Sequence, residues 1–339
     1  MRCVMTHFLR RVTLIAIVLS TGIGAVHESA GQSSGLTAFY TAPVVSMAPM
    51  WIAKEAGFFK KQGLDVKLVF IASGPLGTTA ILSGDVDVGI IGGFAPTRAI
   101  AGGAKNLVMI GQSKNRMTGA IVGRKEIASV QDLKGKRLGI DRVGSNPDMF
   151  TQAALSRFQI DPLKDLQYVQ LGSIGNGIPA LKAGTIDALT TSTPHDLFAQ
   201  RLGFKVILDI TAMKIPFAST VLLSSRNAVE RKQADLTKFM RAYAEAVHYF
   251  LTNREGAVQI VAKYTKVEDR DVVAFSIDSE AAAVERTLQV DPKGIELILA
   301  LIAKSMPQAS SVKTEEFYDP RFTNELRESG FLKRLWGER

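Results

Sequence analysis

The segment 69–90 recurs at 169–190, an offset of 100 residues, and this repeat limits the possible folds more than any other feature. Both copies have the pattern of a strand, a glycine-rich loop, a short helix and a further strand. Identical residues include Ser73 and Ser173, Gly77 and Gly177, Gly84 and Gly184, and Asp87 and Asp187. Two similar α/β units in one chain predict a cleft between them, and such clefts are where small ligands bind. We interpret the paired aspartates as structural turn residues.

The first 31 residues differ in character from the rest. Arg10 and Arg11 precede an uncharged apolar run at 12–26, which small residues follow. This pattern predicts a secretory signal peptide over residues 1–31, cleaved near Gly31 or Ala25, and hence a periplasmic protein. The run is shorter than the roughly 20 residues of a membrane span. An uncleaved N-terminal anchor is the alternative.

Charge and cysteine content exclude several classes of function. Of the 339 residues, 46% are hydrophobic and 22% are charged, and the net charge is +9. The positive charges are scattered, and the densest run, 134–137, is short, so no nucleic-acid partner is expected. The sole cysteine, Cys3, lies in the predicted signal peptide, and His195 and His248 have no metal-binding spacing. We therefore expect no cofactor, no metal site and no cysteine nucleophile.

The rest of the chain alternates strands with helices, which predicts an α/β fold with mostly parallel sheets. We assign residues 32–121 and 221–339 to a discontinuous lobe one, and residues 122–220 to an inserted lobe two. A helix is predicted over 50–62, ending at Gly63, and a return strand over 219–223. From residue 234 onward the pattern is helical, and the segment 317–336 is expected to pack on lobe one.

Ligands of open parallel sheets bind at the carboxyl ends of strands. The predicted loops there are rich in Gly, Ser, Thr and Asn, and several begin helices, whose free N–H groups favour an anion. Few charged side chains occur in these loops, so we expect binding by hydrogen bonds without a salt bridge. An N-cap role is the alternative for each Ser, Thr or Asn. The candidate binding residues are Tyr40, Ser46, Met47, Ser73, Gly74, Thr78, Phe94, Ser145, Asn146, Asn176, Ser192, Thr193 and His195.

Tyr40, Met47, Trp51 and Phe94 are expected to form an apolar wall of this site, with core packing as the favoured role for Trp51. His195 could donate a hydrogen bond to the ligand or could be an ordinary surface histidine. No catalytic residue is predicted, because the chain has neither a Walker phosphate loop nor a G-x-S-x-G nucleophile elbow.

Several stretches resemble the sulfonate, taurine and thiamine-precursor binding proteins of ABC importers. They are 48–59, 63–66, 81–88, 132–139 and 180–188, within a resemblance that extends over about 36–330. The resemblance implies a type II periplasmic binding protein, with two βαβ lobes joined by two hinge strands around a central cleft. It also implies a monomer that closes on a small anionic solute and docks on an ABC permease.

The resemblance leaves the ligand open. We expect a sulfonate, a carboxylate or a similar organic acid with an apolar body. Taurine is disfavoured, because only Asp148 and Asp196 lie near the predicted loops as partners for its ammonium group. A pyrimidine-synthase-like or desulfinase-like enzyme is an alternative, which the lack of cysteine beyond Cys3 weakens. A solute-binding sensor subunit is another, and the sequence does not separate it from an importer.

Overall fold

The alternation of strands and helices predicted from the sequence is present in a computed structural model, which describes residues 34–303 and 305–337. The predicted signal peptide lies outside these residues. The strands are β1 (Ser34–Tyr40), β2 (Leu64–Phe70), β3 (Val88–Ile91), β4 (Leu107–Arg116), β5 (Ala120–Gly123), β6 (Arg137–Ile140), β7 (Gln167–Gln170), β8 (Ala188–Thr191), β9 (Lys205–Asp209) and β10 (Pro216–Ser225).

The helices surround the two sheets that these strands form. They are α1 (Ala48–Glu55), α2 (Phe58–Lys61), α3 (Gly74–Ser83), α4 (Phe94–Ala101), α5 (Asn146–Leu155), α6 (Pro162–Asp165), α7 (Gly177–Ala183), α8 (His195–Arg201), α9 (Arg226–Arg231), α10 (Gln233–Thr252), α11 (Arg254–Thr265), α12 (Arg270–Ala281), α13 (Pro292–Ile302), α14 (Arg321–Glu328) and α15 (Phe331–Trp336). None of the helices within 34–303 and 305–337 has the length and hydropathy needed to cross a membrane.

Both sheets have five strands and the same design. The first has the order β2-β1-β3-β10-β4, and the second has the order β7-β6-β8-β5-β9. In each sheet the first three strands are parallel, and the fourth is antiparallel to its neighbours. The predicted α/β class with two similar sheets is therefore confirmed.

The chain crosses between the sheets twice. It leaves the first sheet at the end of β4 and returns at the start of β10, which contains the predicted return strand. We call 34–116 with 216–337 lobe one, and 117–215 lobe two. The lobe boundaries predicted after residues 121 and 220 fall inside β5 and β10. Because β4 and β10 are hydrogen-bonded neighbours, both crossings leave lobe one side by side.

Equivalent hydrogen bonds occur in the two copies of the repeated segment. The carboxylate of Asp87 accepts the N–H of Thr37 at 2.8 Å, and the carboxylate of Asp187 accepts the N–H of Arg137 at 3.0 Å. Each aspartate thus ties the turn before β3 or β8 to the neighbouring parallel strand of the sheet, β1 or β6, as the structural interpretation predicted. The repeat is a duplicated fold unit rather than a chance pattern.

The single helix predicted over 50–62 is wrong. The chain forms α1 and α2 instead, separated at Gly57, whose φ of 78° lies in the left-handed region and ends the first helix. Gly63, with φ 72°, is the left-handed terminator that the sequence predicted.

The segment after residue 316 packs on lobe one, as predicted. Met109 in edge strand β4 donates its N–H to the carbonyl of Phe317 at 2.9 Å, and its own carbonyl accepts the N–H of Asp319 at 2.8 Å. Arg241 of α10 pairs with Glu325 of α14. The segment therefore covers the edge of the first sheet.

Candidate ligand-binding site

A cavity lies between the lobes, at the carboxyl ends of parallel strands from both sheets. Its volume is about 60 Å³. Residues that follow β1, β2 and β3 line one side, and residues that follow β6, β7 and β8 line the other. The lining residues are Thr41, Ala42, Val44, Ser46, Met47, Ser73, Gly74, Gly92, Lys114, Asp141, Ser145, Asn146, Pro147, Phe150, Ile174, Ser192, Ser219 and Thr220.

Seven of the candidate residues from the sequence come together at this cavity. They are Ser46, Met47, Ser73, Gly74, Ser145, Asn146 and Ser192. Strand-end loops thus converge from both lobes, as the binding rule for open sheets requires.

Ser73 carries the clearest mark of a ligand site on the lobe-one side. Its hydroxyl oxygen is buried and has no hydrogen-bond partner. Ser73 precedes α3 but makes no capping hydrogen bond through its side chain. Its backbone, at φ 80° and ψ 155°, lies in a region that residues other than glycine seldom occupy. The N-cap alternative therefore does not account for this serine, whereas its repeat partner Ser173 does cap, accepting the N–H of Gly175 at 3.4 Å.

Ser145 and Asn146 begin α5 on the lobe-two side. The Ser145 hydroxyl caps the helix by accepting the N–H of Asp148 at 3.5 Å. The side chain of Asn146 reaches lobe one, where its amide group donates to the carbonyl of Ser219 at 2.7 Å. The N-termini of α3 and α5, each ten residues long, thus lie at one cavity from opposite lobes.

Two charged residues line the cavity, and neither was among the candidates. Lys114 is 4% exposed, and its ammonium group lies 2.7 Å from the Glu280 carboxylate and 2.8 Å from the Thr118 hydroxyl. Asp141 is 6% exposed, and burial raises the pKa of its carboxyl to about 6. Among the described residues, the cavity lining thus includes one lysine and one aspartate, and the expectation that the ligand is bound without a salt bridge stays a prediction.

The sequence contains a signal for Asp141 and a weaker one for Lys114. Asp141 stands 100 positions after Thr41, and the two residues directly follow the equivalent strands β6 and β1. The repeat that paired Ser73 with Ser173 would thus have brought Asp141 into the site. Lys114 lies within β4, in a polar stretch of a strand that is otherwise apolar and buried, so a rule based on strand ends misses it.

Three other candidates in or near lobe one lie outside the cavity lining. The ring of Tyr40 packs against Trp51 and Tyr264, so it belongs to an aromatic cluster. The hydroxyl of Thr78 donates to the carbonyl of Gly74 at 2.9 Å inside α3. Phe94 is buried, and its backbone N–H lies 3.4 Å from the side-chain oxygen of Asn146.

The remaining lobe-two candidates also lie outside the lining. Asn176 is exposed and donates to the carbonyl of Leu171 at 2.7 Å. The carbonyl of Thr193 accepts the N–H of Val45 at 3.0 Å. His195 is buried with Nε2 2.9 Å from the carbonyl oxygen of Pro43, and burial lowers the pKa of its imidazole. Thr193 and His195 therefore join the lobes rather than face the cavity.

The family model described as NMT1/THI5 like matches residues 45–257, which span both lobes and most of the cavity. The chain belongs to the NMT1/THI5-like family. The resemblance predicted from the sequence is thereby confirmed.

Relatives of this family member include a Bacillus subtilis protein, YtlA, which carries the name of a binding protein. It is 24% identical over 268 residues, covering 76% of this chain and 79% of YtlA. A Bordetella bronchiseptica structure has TM-score 0.76 and 19% identity, covering 87% of this chain and 98% of the other. The alkanesulfonate-binding protein SsuA from Xanthomonas axonopodis pv. citri, bound to MOPS, has TM-score 0.70 and 20% identity, covering 83% and 95%. These neighbours share the fold.

Proposed function

We propose that this protein captures a small solute with an anionic group in the interlobe cavity and delivers it to an ABC permease. The observation that carries the proposal is the buried Ser73 hydroxyl, which has no partner and lines a cavity at two helix N-termini. Removing a hydroxyl from water without a hydrogen bond costs free energy, which a ligand acceptor would recover. Family membership and the sulfonate-binding structural neighbour support the same class.

Each group at the lobe-one wall has a role in this proposal. The Ser73 hydroxyl donates to an anion oxygen, and the first-turn N–H groups of α3 add donors and a favourable dipole. Lys114 has three ammonium hydrogens, of which Glu280 and Thr118 take two, so the third is available to the solute.

We propose that the solute enters the cavity when the lobes separate. A volume of about 60 Å³ is well below the roughly 150 Å³ of a cavity that admits benzene. Contacts between the lobes surround the cavity, such as those of Asn146 with Ser219 and of Val45 with Thr193. We propose that the adjacent crossings after β4 and before β10 act as the hinge.

The rest of the proposal concerns the protein's setting. It places the mature protein in the periplasm, after removal of residues 1–31, as a monomer without a nucleic-acid partner. An enzyme on the same fold is less well supported, because neither histidine nor cysteine lines the cavity in the described residues. A sensor subunit would use the same site. Solute uptake by a permease that requires this protein would exclude a function in sensing alone.

The test uses the mature protein and a panel of small sulfonates and carboxylates. We expect at least one of them to raise the melting temperature and to bind in a calorimetric titration. The Ser73→Gly variant should fold, because glycine adopts φ 80° without strain, yet bind that solute roughly tenfold to a hundredfold more weakly. Ser83→Gly, at an exposed position of the same helix, should not change the affinity. Equal affinities for Ser73→Gly and the wild type would refute the proposal.

A further inference from the structure

Asp141 is a carboxylate in the cavity wall that forms no ion pair within the described part of the chain. It is 6% exposed, and no ion pair among the described residues includes it. Its hydrogen-bond donors are neutral, namely the hydroxyl of Ser145 and the backbone N–H groups of residues 141 and 142. A buried charge without a counter-charge is costly, and such charges are usually paired.

Lys114 does not supply the missing charge. Its ammonium group already lies 2.7 Å from Glu280, and both side chains are almost fully buried. This pair is neutral as a unit. Lys114, Glu280 and the ionised Asp141 together therefore carry one net negative charge, which disfavours a solute that carries only an anionic group.

Because the cavity is small, a single solute would contact both Asp141 and the opposite wall formed by Ser73 and the start of α3. Asp141 and Ser73 line a single space of about 60 Å³. An occupant of so small a space contacts both walls. It must therefore offer an acceptor to Ser73 and the N-terminus of α3, and a positively charged donor to Asp141.

We propose that the solute is a compact zwitterion, with a protonated amine against Asp141 and an anionic group against Ser73 and the start of α3. This inference rests on the proposed function and narrows its substrate class. Asp141 is then the residue that selects amine-bearing solutes, and Ser145 orients its carboxylate by donating a hydrogen bond. The organic acid with an apolar body that the sequence favoured has no group for Asp141.

Matched pairs of probes test the inference by calorimetric titration of the mature protein. One pair is 2-aminoethanesulfonate and ethanesulfonate, and the other is β-alanine and propionate. We expect the aminated member of at least one pair to bind at least tenfold more tightly than its partner. Asp141→Asn keeps the shape of the side chain but removes its charge, so it should abolish this preference. Asp65→Asn, at an exposed position of β2, should leave the preference unchanged.

Three results would overturn the inference. They are an equal or tighter affinity for the member without an amine, a preference that survives in a folded Asp141→Asn variant, and the absence of binding by all four probes. Folding of the variant is checked by its thermal melt. If a simple anion binds and Ser73→Gly abolishes that binding, the proposed function stands while the zwitterion inference fails. The two proposals are thus separable.

Discussion

At the residue scale, the protein concentrates unfavourable features where the proposed solute binds. Ser73 combines a strained backbone with a buried hydroxyl that lacks a partner, and Asp141 is a buried carboxylate that no cation among the described residues pairs with. A residue held in a sparsely populated backbone region costs about 1–3 kcal/mol, and an unsatisfied buried hydroxyl costs a similar amount. Their occurrence at one cavity favours a binding role over a purely structural one.

The pH dependence of stability provides a test of the Asp141 environment. Burial raises the pKa of Asp141 from 3.8 to about 6, so the folded state binds its proton more tightly than the unfolded state. The resulting stabilisation is complete below pH 3.8 and is lost as the pH rises through about 6. The free energy of unfolding of Asp141→Asn minus that of the wild type should therefore be roughly 2–3 kcal/mol larger above pH 6 than at pH 3.8.

Urea unfolding of both proteins between pH 3.8 and 8, without added solute, measures this difference. Asp65→Asn serves as the control, because its carboxylate is exposed and should give a difference that is small and nearly constant. A difference for Asp141→Asn that does not change with pH would show that the Asp141 carboxylate is not destabilised by burial.

At the element scale, the duplicated unit depends on close approach between a helix and its sheet. Gly77 of α3 and Gly177 of α7 lie at this helix–sheet contact. A Cβ atom at Gly77 would lie 2.5 Å from the ring of Phe39, and one at Gly177 would lie 2.4 Å from the side chain of Leu189. Both neighbours are fully buried, so neither has space to move. The shared glycines of the repeat are therefore packing requirements.

We predict that Gly77→Ala and Gly177→Ala each lower the free energy of unfolding by about 1–3 kcal/mol through overpacking. Gly175→Ala is the matched control, because its Cβ would meet the nearest atom at 3.5 Å, an ordinary contact. Chemical denaturation of the three variants measures the effect. Stability equal to the wild type in both Gly77→Ala and Gly177→Ala would mean that the helices can shift without cost.

The sequence predicted elements and strand-end residues better than it predicted side-chain directions. Ser73 and Ser145 were accessible to prediction because the rule for parallel sheets depends only on chain order. Tyr40 was not, since its ring direction depends on packing against Trp51 and Tyr264, which are distant in sequence. Lys114 was missed because its place at the cavity follows from the pairing of β4 with β10, a tertiary feature.

At the scale of the whole molecule, Asn146 is a direct link between the lobes. Its amide group donates to the carbonyl of Ser219, and its side-chain oxygen lies 3.4 Å from the N–H of Phe94. The absence of a side chain at Gly92 makes room for this approach, because a Cβ there would lie 2.4 Å from Cγ of Asn146. Gly92 therefore permits the contact between the lobes that encloses the cavity.

We predict that Gly92→Ala acts as a wedge and shifts the protein toward separated lobes. Loss of the Asn146 contacts, at about 0.5–1.5 kcal/mol per hydrogen bond, should weaken solute binding roughly tenfold. Small-angle X-ray scattering should give a larger radius of gyration for this variant with solute than for the wild type with solute. Gly35→Ala, with no atom closer than 4.0 Å to its Cβ, is the control. Wild-type affinity and radius in Gly92→Ala would argue against closure about this contact.

The most direct measurement is a crystal structure of the mature protein with the tightest-binding solute from the panel. We predict a solute enclosed between the lobes, with an anion oxygen within hydrogen-bond distance of the Ser73 hydroxyl. A solute bound outside this cavity, with the Ser73 hydroxyl still without a partner, would contradict it.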